Sequence, residues 1–263
     1  MSLKAINFST IVSLLDEGKL SHGLYVVAID IGNPADITIR ALSILKNVDL
    51  IICEERKAGS STLKKYGIRK PFELLNEHNE REQSKELLNK LMLGEIAVAL
   101  ISDCGTPLFE DPGNKLVSDC HYYKIPVYSV PGASSLTAAL MISGLRDQQF
   151  TYYGFLPANK EERIGALKQL ESYQHNLIFL ETPYRLKALL SDIAVVLGKK
   201  RKGIIAYKLT QPEERVLKGT IDELIYEAES LPKGEFVFIL ERRTDYGKKR
   251  ERESKTIRNR TNT

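Results

Sequence analysis

The chain lacks the long apolar run that a membrane span needs. Its longest unbroken stretch is about six residues, Ile96 to Ile101, against the ~20 required to cross a bilayer. The N-terminus has no basic segment leading into an apolar block and a small-residue cleavage site, so no secretory leader is expected. Only three cysteines occur, Cys53, Cys104 and Cys120, far apart and without a CxxC pair. That argues against a disulfide framework or a zinc knuckle and makes a reducing cytoplasm the expected compartment. The four histidines, His22, His78, His121 and His175, form neither HxH nor HExxH, so no metal site is expected. There is no GxxxxGK[ST], which argues against a P-loop NTPase, and no GxGxxG after the first apolar run, which argues against the usual dinucleotide fingerprint.

Positive charge is also scarcer than it looks. The 263 residues carry a formal +4. From Arg242 onward there are nine Lys/Arg against three Asp/Glu, a surplus of six, which leaves −2 on the other 241 residues. The body is close to neutral, and the excess belongs to a tail (residues 245–263) expected to be disordered. A body coated in positive charge is excluded. A basic tail or a local basic patch meeting an anionic partner is not.

What is present alternates strand with helix. Apolar runs at Leu24–Ile29, Leu50–Cys53, Ile96–Ser102 and Val127–Val130 read as buried strands. Helical periodicity lies between them. One helix is capped by Asp36, with Ile37, Ala41, Ile44 and Leu45 on one face. Another spans Glu82–Leu93, with Leu87, Leu88, Leu91 and Met92 inward and Gly94 as its stop. Others lie near Asn114–Tyr123 and from Ser134 to Gly144. The second half gives strands near Tyr152–Phe155 and at Leu177–Leu180, Gly203–Leu209 and Phe236–Leu240. Its helices are Lys160–Tyr173, one from Pro183 to Gly198, and one capped by Thr220. This order predicts an α/β protein of two lobes, the first with a mostly parallel sheet. The expected divisions are an extension over 1–22, with a short helix around Ile11–Leu15, an N-terminal domain over 23–146, a C-terminal domain over 147–244, and the tail.

Four Gly- or Pro-rich loops each follow a predicted strand: Asp30-Ile31-Gly32-Asn33-Pro34, Ser102-Asp103-Cys104-Gly105-Thr106-Pro107, Val130-Pro131-Gly132-Ala133-Ser134-Ser135 and Glu181-Thr182-Pro183-Tyr184-Arg185. Open α/β sheets bind ligands beyond the carboxyl ends of their strands. Any one loop could be a plain tight turn; four together point to a shared site.

These loops carry a resemblance. Ile31-Gly32-Asn33 with Asp36-Ile37-Thr38, Val48-Asp49-Leu50-Ile51 with Cys53-Glu54, and Glu77-His78-Asn79-Glu80 occur in order. Ser102-Asp103-x-Gly105-Thr106-Pro107 with Asp111-Pro112-Gly113, Pro131-Gly132-Ala133-Ser134, Gly154-Phe155-Leu156-Pro157, Glu181-Thr182-Pro183-Tyr184-Arg185 and Gly219-Thr220 follow. From about Leu24 to Glu241 the chain resembles the tetrapyrrole methylase superfamily, and within it the group that methylates a ribose 2′-hydroxyl of small-subunit ribosomal RNA. The resemblance implies S-adenosyl-L-methionine bound in a cleft between two α/β domains, usually in a homodimer. Carried over by position, it assigns the cofactor to Ile31, Gly32, Ser102, Asp103, Thr106, Ser134, Ser135, Glu181, Leu209 and Thr210, largely through backbone. Asp103 has an alternative as the cap of its own turn. The catalytic candidates are Glu54, as first choice of base, and His78. Arg56, Lys57, Asn79 and Arg185 are the substrate candidates.

The departures from the group's pattern gather on the substrate side. Ala28-Ile29-Asp30 stands for Pro-Thr-Pro, and Cys53-Glu54-Glu55-Arg56-Lys57 for Cys-Glu-Asp-Thr-Arg. Leu108-Phe109-Glu110 stands for Gly-Ile-Ser, and Ala206-Tyr207-Lys208-Leu209-Thr210-Gln211 for Ala-Arg-Glu-Leu-Thr-Lys. The expected function is therefore a cytoplasmic S-adenosylmethionine-dependent methyltransferase acting on rRNA or the small ribosomal subunit. The alternatives are the same chemistry on a tetrapyrrole-like small molecule or a protein, and a non-catalytic RNA- or ribosome-binding relative.

Overall fold

The computed structural model describes residues 18–145 and 149–243. The expected N-terminal helix, the boundary at 146/147 and the basic tail lie outside the described residues. Two compact units are formed. The first runs up to Ala138 and takes in Leu209–Pro212; the second holds Ala139–Lys208 and the chain from Glu213 on.

The first unit is built on strands β1 (Gly23–Val27), β2 (Leu50–Cys53), β3 (Phe72–Leu74), β4 (Ala97–Leu100) and β5 (Val127–Val130). All pair in parallel, in the order β3-β2-β4-β1-β5. Side chains alternate between faces along a strand, and here both sets are apolar. Val27, Ile51, Cys53, Ala97 and Ala99 join one core. Leu24, Leu50, Ile52, Val98 and Leu100 join the other. Helices α1 (Ile39–Asn47) and α2 (Arg56–Lys65) cover the first face through Ala41, Ile44, Leu45 and Leu63. Helices α3 (Glu80–Leu93) and α4 (Asn114–Tyr122) cover the second through Leu87, Leu88, Leu91, Leu116 and Cys120. Each such fully buried leucine contributes about 1.5–3 kcal/mol. Gly59 of α2 lies so close to β2 that a Cβ there would sit 2.6 Å from the Cys53 sulfur.

Several expected boundaries shift for local reasons. Helix α1 is capped by Thr38, whose hydroxyl accepts the Ala41 N–H at 3.0 Å. Asp36 instead ends a single 3₁₀ turn, Pro34–Asp36, capped by Asn33. Met92 faces outward, 52% exposed. Helix α5 covers Ser135–Ile142. Helix α2 and the three-residue β3 carry too few apolar residues to announce themselves.

The second unit has β6 (Phe150–Phe155), β7 (Asn176–Glu181), β8 (Lys202–Tyr207), β9 (Arg215–Thr220) and β10 (Phe236–Leu240), in the order β6-β7-β10-β8-β9. Only β6–β7 is parallel; the other pairs are antiparallel. Its helices are α6 (Lys160–Leu170), α7 (Leu186–Leu197) and α8 (Ile221–Glu229). They pack Leu167, Leu189, Leu190, Ile193 and Leu224 onto Leu177, Phe179, Ile205 and Phe238. Thr220 and Glu223 close a reciprocal capping box on α8. Pro183 falls in a turn closed by Arg185 N–H to Thr182 O, not in the first turn of α7. The edge strand β9 has no fully buried residue, which is why its sequence shows no strand pattern.

Candidate active site

The connection from β1 runs through α1 to β2 on one side of the sheet. That from β4 runs through α4 to β5 on the other side. Neighbouring strands whose connections diverge mark the switch point of an open α/β sheet, where ligands bind. The two loops at this point are tied to each other. Ile29 N–H donates to Gly105 O, and Gly105 N–H donates to Asp30 O, both at 2.9 Å. Gly105 has φ +73°, and a Cβ on it would meet Ile31 Cγ2 at 2.8 Å. Only glycine lets the loops close this tightly.

The hydroxyls expected to meet a cofactor brace the loops. Ser102 donates to Cys104 O at 2.9 Å, and Thr106 donates to Ala133 O at 3.0 Å, fastening the β4 loop to the β5 loop. Thr210 accepts the Asn33 N–H at 3.1 Å, which seats Leu209–Pro212 on the β1 loop. Gly32 is required there: its Cβ would be 2.7 Å from Gln211 Cγ and 3.2 Å from Leu209 O. Ser134 and Ser135 start α5, with Ser134 O accepting the Ala138 N–H. Ile31 is buried at the base of the β1 loop. These side chains are thus engaged in shaping the rim.

Asp30 anchors the β1 loop from below. Its buried carboxylate accepts the Gly32 N–H at 3.0 Å, the Tyr66 hydroxyl in a short hydrogen bond, and Lys65 Nζ at 3.2 Å. Burial alone would raise its pKa, but these three donors outweigh it and hold the carboxyl below its ordinary value. Its stabilisation is therefore present above the ordinary carboxylate range and fades as pH falls through the lowered value. Tyr66→Phe removes one charge-assisted bond and is expected to destabilise the protein by about 2 kcal/mol in urea unfolding at pH 7. That deficit should shrink as pH drops below 4.

Across the switch point sits a group of carboxylates. Glu54 follows β2, Asp103 follows β4, and Asp111 lies further along the β4 loop. Burial, then the charges of Asp111, Asp103, Glu55 and Glu77, push the Glu54 carboxyl up to about 7. Burial, then Asp103 and Glu110, push Asp111 up to about 6 against a backbone hydrogen bond at Leu108. Burial raises Asp103 as well, opposed by a backbone hydrogen bond at Glu55. Leu108 and Glu110 take up left-handed φ values of +71° and +72°. Such strain persists where surrounding structure enforces it. Here Gly113 N–H, bonded to Glu80 at 2.8 Å, pins the far end of the loop. Asp111 was legible only as part of Asp-Pro-Gly, a turn signature that hides its electrostatic role.

The remaining candidates divide. Arg56 lies over the Phe72 ring at 5.6 Å, and Lys57 is exposed beside it on α2. His78 is exposed, 3.5 Å from Glu77. Asn79 is committed to its turn: its amide donates to Leu74 O, and its oxygen accepts the Asn76 N–H at 2.7 Å. In the second unit, Glu181 accepts the Thr182 N–H at 2.7 Å and pairs with Arg185 at 3.1 Å. Arg185 also donates to Leu156 O and Pro157 O. Its guanidinium therefore fastens the β6 exit to α7 and is not held out for a phosphate.

The family model described as Tetrapyrrole (Corrin/Porphyrin) Methylases matches residues 23–225. Ribosomal RNA small subunit methyltransferase I of Pasteurella multocida (strain Pm70) is 40% identical over 226 residues, 85% of this chain and 80% of that one. The protein of the same name from Escherichia coli O157:H7 is 42% identical over 221 residues, 83% and 77% of the two chains. Among solved structures, diphthine synthase superposes with a TM-score of 0.66 at 15% identity, covering 84% of this chain and 90% of that one. Uroporphyrin-III C-methyl transferase from Thermus thermophilus, complexed with S-adenyl homocysteine, gives 0.59 at 18%, covering 85% and 97%; both show a shared fold. Across most of its length, from the first strand of the parallel sheet to helix α8, the chain belongs to the tetrapyrrole methylase family, and it is an S-adenosylmethionine-dependent methyltransferase.

Proposed function

We propose that this methyltransferase acts in the cytoplasm on small-subunit ribosomal RNA, transferring a methyl group to a ribose 2′-hydroxyl with Glu54 as general base. The relatives at about 40% identity carry the substrate part of this reading through their names. The observation that carries the mechanism is a Glu54 carboxyl brought to about 7 by burial and neighbouring carboxylates. The charges that act on it, Asp111, Asp103, Glu55 and Glu77, are all acidic, and no ion pair forms at Glu54 among the described residues.

The residues present fit the cofactor. Asp103, Glu54 and Asp111 form an anionic group that favours a cationic ligand, and a sulfonium with an α-ammonium is one. The braced loops at Ile31–Gly32, Ser102–Thr106 and Ser134–Ser135, with Leu209–Thr210, present backbone for the rest, and Asp103 is the charged side chain best placed to hold a cation. When bound, S-adenosylmethionine supplies an electrophilic methyl group open to in-line displacement. The chain has two tasks: to fix the acceptor oxygen in line, an effect worth roughly 7–11 kcal/mol, and to take its proton. A carboxylate with a pKa near 7 accepts that proton at neutral pH far better than an ordinary glutamate. The family resemblance also supports a homodimer as the working form, which light scattering on the full chain would check.

The test uses labelled S-adenosylmethionine with small subunits from a strain lacking this gene. Label is expected in the RNA, and alkaline hydrolysis should yield it in dinucleotides, because a 2′-O-methyl group blocks cleavage of the next phosphodiester. Label confined to protein or to small molecules would refute the reading.

A further inference from the structure

Residues 56–70 contain six Lys/Arg and no Asp or Glu, a surplus of +6 within a body whose first 241 residues total −2. The stretch forms α2 and the turn into β3, so these charges lie together in the first unit. Two are already used: Lys65 pairs with Asp30, and Arg56 lies over Phe72. Lys64, Arg69 and Lys70 have no ion-pair partner among the described residues. All three line a surface cavity of about 300 Å³, together with Ser60, Gly67 and Phe72. No carboxylate lines it. Glu73, the next residue along β3, points to the other face of the strand and is tied to Lys90 and Gln83.

We propose that this cavity and the flank of α2 form the docking surface for the phosphodiester backbone of the RNA substrate. The inference rests on the function proposed above and deepens it. Its cations are strung along an exposed helix and turn, not converged on one point, which suits a repeated anion better than a single small one. Lysine and arginine that neutralise backbone phosphates supply sequence-independent affinity and positioning. Because the rest of the body is net negative, this patch also orients a polyanion as it arrives. The element is contiguous with the chemistry: α2 begins two residues after Glu54, and Lys65 and Tyr66 at its far end grip Asp30 of the β1 loop.

The test measures binding of the full chain to a small-subunit rRNA transcript across a series of KCl concentrations. For Lys64→Gln/Arg69→Gln/Lys70→Gln, affinity near 0.15 M salt is expected to fall roughly tenfold or more. The slope of log K against log salt should become shallower by about two units. Calorimetric S-adenosylmethionine binding and the thermal melt should match wild type. A control, Lys85→Gln/Lys160→Gln/Lys168→Gln, removes as many exposed charges elsewhere and should change affinity less than about threefold. Unchanged affinity and slope in the first variant, an equal loss in the control, or no RNA binding by wild type would each overturn the proposal. Should the triple variant melt early, the single variants Lys64→Gln and Lys70→Gln decide on the same slope. RNA methylation by wild type at saturating concentration reports on the function separately. If it persists while the variants bind normally, this surface is wrong and the function stands. If label goes elsewhere while the variants lose RNA affinity, the surface stands and the function is wrong.

Discussion

Glu54→Gln is expected to lower kcat/KM for methyl transfer by about 10²–10⁴ at pH 7.5, the range a general base supplies, with a much smaller loss of S-adenosylmethionine affinity from the missing negative charge. The substitution keeps shape and hydrogen-bonding capacity and removes only the basic site. Glu54→Asp keeps the charge on a shorter arm and should fall between the two. His78→Gln should leave kcat/KM within about threefold, since an exposed imidazole beside Glu77 has nothing to fix its position. The same physics makes a second, opposite forecast. A carboxyl raised in the folded state destabilises the fold as pH climbs from its ordinary value toward about 7, because the unfolded chain ionises first. Glu54→Gln should therefore raise the melting temperature at pH 8 and leave it unchanged near pH 4, so the activity lost is not lost through misfolding.

The largest effect on stability is expected in the second unit, far from this chemistry in the sequence. Arg163 on α6 and Asp192 on α7 pair at 2.7 Å, with both side chains 7% exposed. Arg163 also donates to Pro157 O at 3.1 Å and Ala158 O at 2.9 Å. Asp192→Ala leaves a buried guanidinium without its counter-charge and should cost about 3–5 kcal/mol. Replacing both partners by apolar residues, as in Arg163→Met/Asp192→Leu, should recover much of that, because no charge is then left unpaired. A midpoint shift in urea, with an unchanged slope against denaturant, is the measurement.

The parallel sheet was legible because its strands are apolar on both faces. Leu50–Cys53 and Val127–Val130 appear where the sequence puts them. Helix α2 was not, because Leu63 is nearly its only large apolar residue and close contact at Gly59 does the rest of its packing. The same opacity hid the basic cavity, which exists only once α2 and β3 are side by side. Loop positions of the candidate site could be read from glycine and proline spacing together with family likeness. Their chemistry could not. That Thr106 and Thr210 bind neighbouring loops, that Arg185 is committed to carbonyls, and that Asp111 raises the pKa of Glu54 all depend on residues distant in sequence.

The most direct test of the account is the pH dependence of kcat/KM for wild type and Glu54→Gln. Wild type should lose activity about tenfold per pH unit below an apparent pKa of about 7, and the variant, slow throughout, should show no such limb. A wild-type profile flat between pH 5.5 and 8, or a limb that survives in the variant, would contradict Glu54 as the base.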